Sequence, residues 1–153
     1  MTPLSEILVP PLINLSLAAK TQADGVTEVL SKLNGDPRVQ DWPALVQAVT
    51  QRNAPALVCE GCGICIAHGR TNAVNSLVMA AGRSPRGLSS PEVREKVRLV
   101  FVAGIPSAFD SEYLRVVGAI ARLCRNSSLL EGLLSAPDTA AFAAILAAGE
   151  ARL

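Results

Sequence analysis

The sequence predicts a three-layer α/β domain, in which a central sheet lies between layers of helices. Three observations favour this class. Short apolar stretches typical of strands alternate along the chain with amphipathic stretches typical of helices. Residues 96–105 are the most apolar stretch, which is expected for a strand at the centre of a sheet. With 153 residues, of which 50% are hydrophobic and 3% aromatic, we expect a single domain over residues 1–153.

Apolar spacing and capping residues predict four elements before residue 55. The first is a short helical turn at residues 3–8, ended by Pro10-Pro11. A strand is expected at residues 12–17, and a helix from Thr21 or Gln22 to Leu33, stopped by Asn34-Gly35. A second helix is expected after Asp41, with Pro43 in its first turn.

The second half begins with an apolar run, Ile64 to Ala67, that leads to His68 and to a predicted strand end at Gly69-Arg70. A strand at 74–81, a Gly-, Pro- and Ser-rich loop at 82–91 and a strand at 96–105 are expected next. Three helices complete the prediction. They are a helix from Ser107 or Asp110 to about Arg125 with Leu114, Val117, Ile120, Ala121 and Cys124 on its inner side, a short helix at 126–134, and a helix at 139–150 capped by Asp138.

Composition argues against several classes of partner. The net charge is +1, with acids and bases mixed along the chain and no basic tract, so we expect no nucleic-acid partner. Charged residues, Gly and Pro interrupt every apolar run before it reaches membrane-spanning length, so we expect no direct membrane insertion. The first eight residues contain an acid and no basic segment typical of a signal peptide. A cytoplasmic protein is therefore expected.

His68 is the single histidine of the chain. An imidazole titrates near neutral pH without help, so it can act as a base, a metal ligand or a nucleophile. A structural role as a hydrogen-bonded histidine at a strand end is the common alternative. Spacing alone does not choose among these roles.

Three closely spaced cysteines precede this histidine. Cys59, Cys62, Cys65 and His68 follow one another at intervals of three and could hold zinc or part of an iron–sulfur cluster. The alternative is a group of small, buried, apolar side chains. Residues three apart in a strand point to opposite faces, so Cys65 and His68 cannot share a metal unless the strand breaks between them. We therefore predict that the cysteines are reduced and bind no metal.

The segment around His68 resembles a family motif. Gly63-Ile64-Cys65-Ile66-Ala67-His68-Gly69 matches the pattern G-I-A-I-P-H-G, and Arg52 precedes His68 by 16 positions, as an arginine does in the family. Residues 97–106 and 112–123 resemble the central strand of the family and the helix that follows it. Over essentially its whole length, the chain resembles the IIA component of the fructose–mannitol class of the bacterial phosphotransferase system, including its nitrogen-regulatory branch.

The chain also departs from this family at several motif positions. The second histidine of the family is Tyr113 here, and the proline before the active histidine is Ala67. The Ser-Thr pair falls on Leu57-Val58, and the acid after the arginine is Asn53. These departures indicate a divergent or regulatory member.

The resemblance implies a mixed central sheet flanked by helices on both faces. It also implies that His68 accepts a phosphoryl group from phospho-HPr or a paralogue of HPr, without a cofactor, and passes it to a IIB domain or holds it as a signal for a regulatory target. Arg52 would lie beside His68 and neutralise the phosphoryl oxygens, and Tyr113 would donate a hydrogen bond to them. The alternative is a regulatory or protein-binding domain with the same fold and little or no phosphotransfer. Metal binding through Cys59, Cys62 and Cys65 is a third hypothesis.

Overall fold

The structure, a computed structural model, describes residues 3–51, 57–59, 61–108 and 110–151. For Leu57, Cys59, Asp110, Glu112 and Tyr113 it describes the backbone only.

The described residues form six α-helices and five β-strands. The helices are α1 (Leu4–Ile7), α2 (Gln22–Leu30), α3 (Trp42–Thr50), α4 (Asp110–Cys124), α5 (Ser127–Ser135) and α6 (Thr139–Glu150). The strands are β1 (Ile13–Asn14), β2 (Leu57–Cys59), β3 (Ile64–Arg70), β4 (Val78–Leu88) and β5 (Val97–Ile105). Short 3₁₀ turns at Pro10–Leu12 and Ser31–Leu33 complete the list. Within the described ranges, none of the helices has the length and apolar character that a membrane crossing requires.

The strands form one mixed sheet in the order β1-β4-β5-β3-β2. β5 pairs in parallel with β3 and antiparallel with β4, while the outer pairs are β1 with β4 and β2 with β3. β5 is thus central, and its residues are buried except for Arg98. The predicted central strand and the expected mixed three-layer α/β architecture are both confirmed.

Helices cover both faces of the sheet. On one face, α2 and α3 pack so closely that a Cβ atom added to Gly82 would lie 2.4 Å from Val29 Cγ2, and one added to Gly104 would lie 2.8 Å from Leu45 Cδ1. We call this the α2–α3 face. The other face, which we call the α4–α6 face, carries Arg83, whose guanidinium donates hydrogen bonds to carbonyl groups at the C-terminal end of α5.

The predicted helix starts are confirmed by their capping hydrogen bonds. The side chain of Asp41 accepts from Ala44 N at the start of α3, and the side chain of Asp138 accepts from Ala141 N at the start of α6. Asn126 caps α5 in the same way. Such side chains satisfy backbone N–H groups that have no partner within the helix, so they define the start of a helix locally.

β4 is the element for which the prediction is wrong. A strand at 74–81 and a loop at 82–91 were expected, but the strand runs from Val78 to Leu88. Gly82 is part of this strand because Val29 and Leu17 pack directly on its backbone. The pairing with β5 shifts between Arg83 and Leu88, an irregularity that accommodates Pro85, since proline cannot donate a ladder hydrogen bond.

Three smaller differences concern β1, β3 and α4. β1 has two residues instead of the predicted six. β3 includes Gly69-Arg70, the pair that was expected to break it, so His68 lies two residues inside the strand. Leu114 was expected on the inner side of α4 but is 67% exposed. Apolar residues occur on adjacent sides of this helix, and the buried ones are Val116, Ala119, Ile120, Leu123 and Cys124.

Candidate functional site

His68 lies on the α4–α6 face of the sheet, near the C-terminal end of β3. It pairs with Ala103 of β5, which in turn pairs with Met79 of β4. The histidine is half-buried, and its Nδ1 atom is buried. The small side chain of Ala103 in the neighbouring strand limits crowding beside the imidazole. One ring nitrogen is therefore shielded from solvent, while the residue as a whole remains partly accessible.

The surroundings of His68 favour its neutral form. Burial lowers the pKa of the imidazole below its usual value of 6.5, and the positive charge of Arg70 lowers the pKa further. Both causes act in the same direction because each penalises the protonated ring. At neutral pH the imidazole is therefore uncharged and one ring nitrogen keeps its lone pair.

Arg70 was not proposed as a site residue from the sequence. It follows His68 by two positions in the same regular strand, so both side chains are on one face. The pairing with β5 is uninterrupted from Ile64 to Arg70, which keeps this alternation intact. The sequence shows that His68 and Arg70 are two residues apart. This spacing places them on one face only if the strand continues past Gly69, which the sequence did not predict.

α3 supports the opposite side of β3 at this point. A Cβ atom on Gly69 would lie 2.5 Å from Ala48 C and 2.6 Å from Val49 N, so the last turns of α3 rest directly on the strand backbone. Backbone atoms of a helix cannot move aside as a side-chain tip can. The glycine after His68 therefore allows this close packing.

α4 covers the same face as His68. Ile64 and Ile66 of β3 line a cavity of about 210 Å³ together with Val117 and other residues from the second half of α4. Since His68 lies farther along β3, it lies towards the first half of α4. Only residues 106–109 separate the end of β5 from the start of this helix, which places the helix N-terminus at the same end of the sheet.

The two other predicted site residues are described less fully. Arg52 lies outside the described residues. The backbone of Tyr113 belongs to the first turn of α4, but its side chain is not among the described atoms. Their roles therefore stay predictions.

The cysteines differ in oxidation state. Cys62 is disulfide-bonded, so the prediction that the cysteine run is fully reduced is wrong for this residue. Cys65 and Cys124 are free and buried, and burial raises the pKa of each thiol to about 12. Cys65 and His68 belong to one unbroken strand, so they point to opposite faces, as expected. The described residues contain no group of three or more His, Cys, Asp and Glu side chains arranged to hold a metal ion, and the Cys59 side chain lies outside them.

Comparisons with known proteins agree with this architecture. The family model described as "Phosphoenolpyruvate-dependent sugar phosphotransferase system, EIIA 2" matches residues 6–149. The "PTS system fructose-specific EIIA component" of Haloferax volcanii is 31% identical over 138 residues, which is 89% of each chain.

Two solved structures have the same fold. Nitrogen regulatory protein IIA-Ntr from Neisseria meningitidis has a TM-score of 0.79 at 22% identity and covers 94% of this chain and 98% of its own. Enzyme IIA mannitol of Escherichia coli, solved in complex with phosphorylated enzyme IIB mannitol, has a TM-score of 0.74 at 20% identity, with 92% and 96% covered. The family model spans nearly the whole sequence and one relative is more than 30% identical, so this chain belongs to the EIIA 2 family of the phosphoenolpyruvate-dependent sugar phosphotransferase system.

Proposed function

We propose that the protein is a cytoplasmic phosphohistidine carrier that accepts a phosphoryl group from phospho-HPr, or from a paralogue of HPr, on His68. The observation that carries this proposal is the environment of the imidazole, which is half-buried, held in a paired strand and shifted towards its neutral form. A neutral ring nitrogen is the nucleophile that phosphoryl transfer requires. Family membership supports the same role.

The nitrogen that attacks is Nε2, because Nδ1 is buried. A bond forms between Nε2 and phosphorus while the bond between phosphorus and the donor atom of HPr breaks, so the phosphoryl group changes carrier without oxidation or reduction. In such a reaction the protein contributes mainly orientation and stabilisation of the phosphoryl oxygens. A second transfer would pass the group to a IIB domain, with the bond between Nε2 and phosphorus breaking as a bond from phosphorus to the acceptor atom of IIB forms.

Cations near the imidazole would stabilise those oxygens. Arg70 lies on the same face as His68 and already acts on the ring through its charge. Arg52 is proposed as a second cation, since it occupies the position of the family's arginine. Tyr113 is proposed to donate a hydrogen bond from the first turn of α4, where the unpaired N–H groups and the helix dipole also favour an anion.

The partner surface is proposed to include the exposed part of α4. Leu114 is the one large apolar side chain that is exposed among the described residues. It directly follows Tyr113 in the first half of α4, which is the half that lies towards His68. Transient carrier complexes bury small areas, so a few exposed apolar groups beside the transferred phosphate are sufficient for docking. The solved complex of a structural neighbour with a phosphorylated IIB protein supports this type of partner.

Phosphorylation from phosphoenolpyruvate, enzyme I and HPr tests the proposal. Acid-labile phosphate should appear on the parent protein and be absent from His68→Ala. Tyr113→His restores the family's second histidine, and we expect it to raise the labelling rate by about tenfold, because a charged donor stabilises the oxygens more than a phenol does.

A regulatory domain without phosphotransfer is the second candidate. It is favoured by the residues that replace family motif positions, which are Tyr113, Ala67 and Leu57-Val58. If the parent protein and Tyr113→His both stay unlabelled while a two-histidine member of the family is labelled in parallel, the carrier function is excluded. The regulatory function then takes its place.

A further inference from the structure

A positively charged groove lies at the end of the sheet opposite His68. It is formed by the loop at 16–20, by residues 85–87 of β4 and by Lys96, and its volume is about 650 Å³. Lys96 directly precedes β5, whereas His68 pairs with Ala103 near the other end of that strand. At about 3.3 Å per residue, Lys96 and Ala103 lie roughly 20 Å apart along the strand. The groove is therefore separate from the His68 site.

Three exposed cations line the groove, namely Lys20, Arg86 and Lys96. None of the described residues that line it is acidic. Within the described part of the chain, none of these three cations takes part in an ion pair. Three like charges around one concave surface repel one another, so an anion that enters the groove gains from all three at once.

Two acids lie close to the groove, and each accepts hydrogen bonds from backbone N–H groups. The carboxylate of Glu28 accepts hydrogen bonds from the backbone N–H groups of Ala18 at 3.0 Å and Ala19 at 2.9 Å. The carboxylate of Glu95, next to Lys96 in sequence, accepts a hydrogen bond from Gly61 N. Both carboxylates therefore have backbone partners. Among the described residues neither carboxylate forms an ion pair with Lys20, Arg86 or Lys96, so these cations stay available to a ligand.

The backbone at Gly87 sets the direction of Lys96. Gly87 has a φ angle of 81°, which other residues rarely adopt. A Cβ atom there would lie 2.4 Å from Lys96 Cβ and 2.9 Å from Lys96 Cγ, so the lysine stem lies directly against the glycine. Arg86 precedes this glycine in β4. The close packing brings a lysine from the start of β5 and an arginine from β4 to the same groove.

We propose that this groove binds a small molecule that carries two or more linked phosphate groups. A single carboxylate would leave most of the positive charge unneutralised, whereas a diphosphate carries several negative oxygens at neutral pH. An arginine fork binds phosphate oxygens in pairs, and a lysine provides a compact charge beside them. The volume is in the range typical of small-molecule sites, and Leu17, Ala18 and Pro85 supply apolar surface for the rest of the ligand.

Inorganic pyrophosphate is the probe for the test, by isothermal titration calorimetry at physiological ionic strength. We expect one saturable site and weaker binding of orthophosphate. Arg86→Gln and Lys96→Gln should each weaken pyrophosphate binding by about tenfold, since each removes one charge-assisted interaction. Lys32→Gln is the matched control, because it removes the same charge from an exposed lysine. Lys32 follows the C-terminal end of α2, whereas the groove loop at 16–20 precedes the N-terminal end of this helix. We expect the affinity of this variant for pyrophosphate to stay within about twofold of that of the parent, because the removed charge lies outside the site.

Binding at the His68 site is tested separately, because Arg70 is another cation that attracts anions. Arg70→Gln should leave pyrophosphate binding intact, and the amide signals of Ala18 and Gly87 should shift on titration. If Lys32→Gln loses as much affinity as Arg86→Gln, or if Arg70→Gln abolishes binding, the groove is not a specific site and the proposal is overturned. Phosphorylation of His68 does not enter this measurement, so the two proposals succeed or fail independently.

Discussion

Burial and the neighbouring positive charge of Arg70 both lower the pKa of His68. The resemblance of its motif to the EIIA 2 family identified it as the candidate nucleophile, because spacing alone left several roles open. Its environment was less predictable. The half-burial comes from tertiary packing, and the influence of Arg70 depends on β3 continuing past Gly69. The sequence motif therefore identifies the candidate group, whereas tertiary packing determines its protonation.

The lowered pKa of His68 gives a prediction with a defined sign. The chain has one histidine, so its imidazole proton signals can be followed by NMR without further assignment. We expect the midpoint of the titration to lie below 6.5. Arg70→Gln removes a positive charge that disfavours the protonated ring, so it should raise the pKa. The rate of phosphorylation should then begin to fall at a higher pH in the variant, since the protonated ring has no lone pair to attack with.

Glu131→Gln is the control for this titration, because Glu131 is an exposed residue of α5, away from β3. Its midpoint should match that of the parent. A parent midpoint above 6.5, or an Arg70→Gln midpoint below that of the parent, would contradict the electrostatic account.

At the scale of elements, local capping signals predicted structure better than glycine and proline did. Asp41 and Asp138 identified two helix starts because a capping hydrogen bond spans only three residues. Gly82 and Pro85 indicated a loop, but both belong to β4. Contacts with Leu17 and Val29, which are distant in sequence, explain Gly82, and no short-range pattern contains that information.

The contact between α3 and β3 gives a second prediction. Gly69→Ala would place a methyl group 2.5 Å from the Ala48 carbonyl carbon, and a helix backbone can relieve this clash only by moving. We expect the free energy of unfolding, measured by urea denaturation, to fall by about 1 to 3 kcal/mol.

Gly118→Ala is the matched control for the same chemical change. Gly118 lies inside α4, and a Cβ atom there would meet no described atom within 4 Å other than those of its chain neighbours and its own helix backbone. Alanine is the better helix former, so this variant should be more stable than the parent by about 0.5 to 1 kcal/mol. Equal effects of the two substitutions would show that the packing of α3 on Gly69 does not limit that position.

At the scale of the whole molecule, the sheet carries two chemically different ends. β5 joins them, because His68 pairs with Ala103 near its C-terminal end and Lys96 directly precedes its N-terminal end. Every residue of the strand except Arg98 is buried, so the strand is held by packing on both faces. A rigid central strand keeps the proposed phosphorylation site and the basic groove at a fixed separation.

The first and last helices are joined through one carboxylate. Both oxygens of Glu150, in α6, accept hydrogen bonds from Leu4 N at 2.9 and 3.0 Å, and Oε2 lies 3.8 Å from Arg115 Nη1 of α4. Glu150→Ala removes these interactions at once. Since hydrogen bonds to a charged group are stronger than neutral ones, we expect a loss of about 1 to 3 kcal/mol in the free energy of unfolding.

Glu131→Ala tests whether this loss is specific to the contacts of Glu150. Glu131 is an exposed residue of α5, so the substitution removes the same side chain and should change stability by less than about 0.5 kcal/mol. Hydrogen exchange separates the role of the contact from a general effect on α6. In Glu150→Ala, the amide of Leu4 should exchange faster than in the parent, because its acceptor is gone. If stability falls while exchange at Leu4 stays unchanged, the carboxylate does not hold α1, and another contact of α6 accounts for the loss.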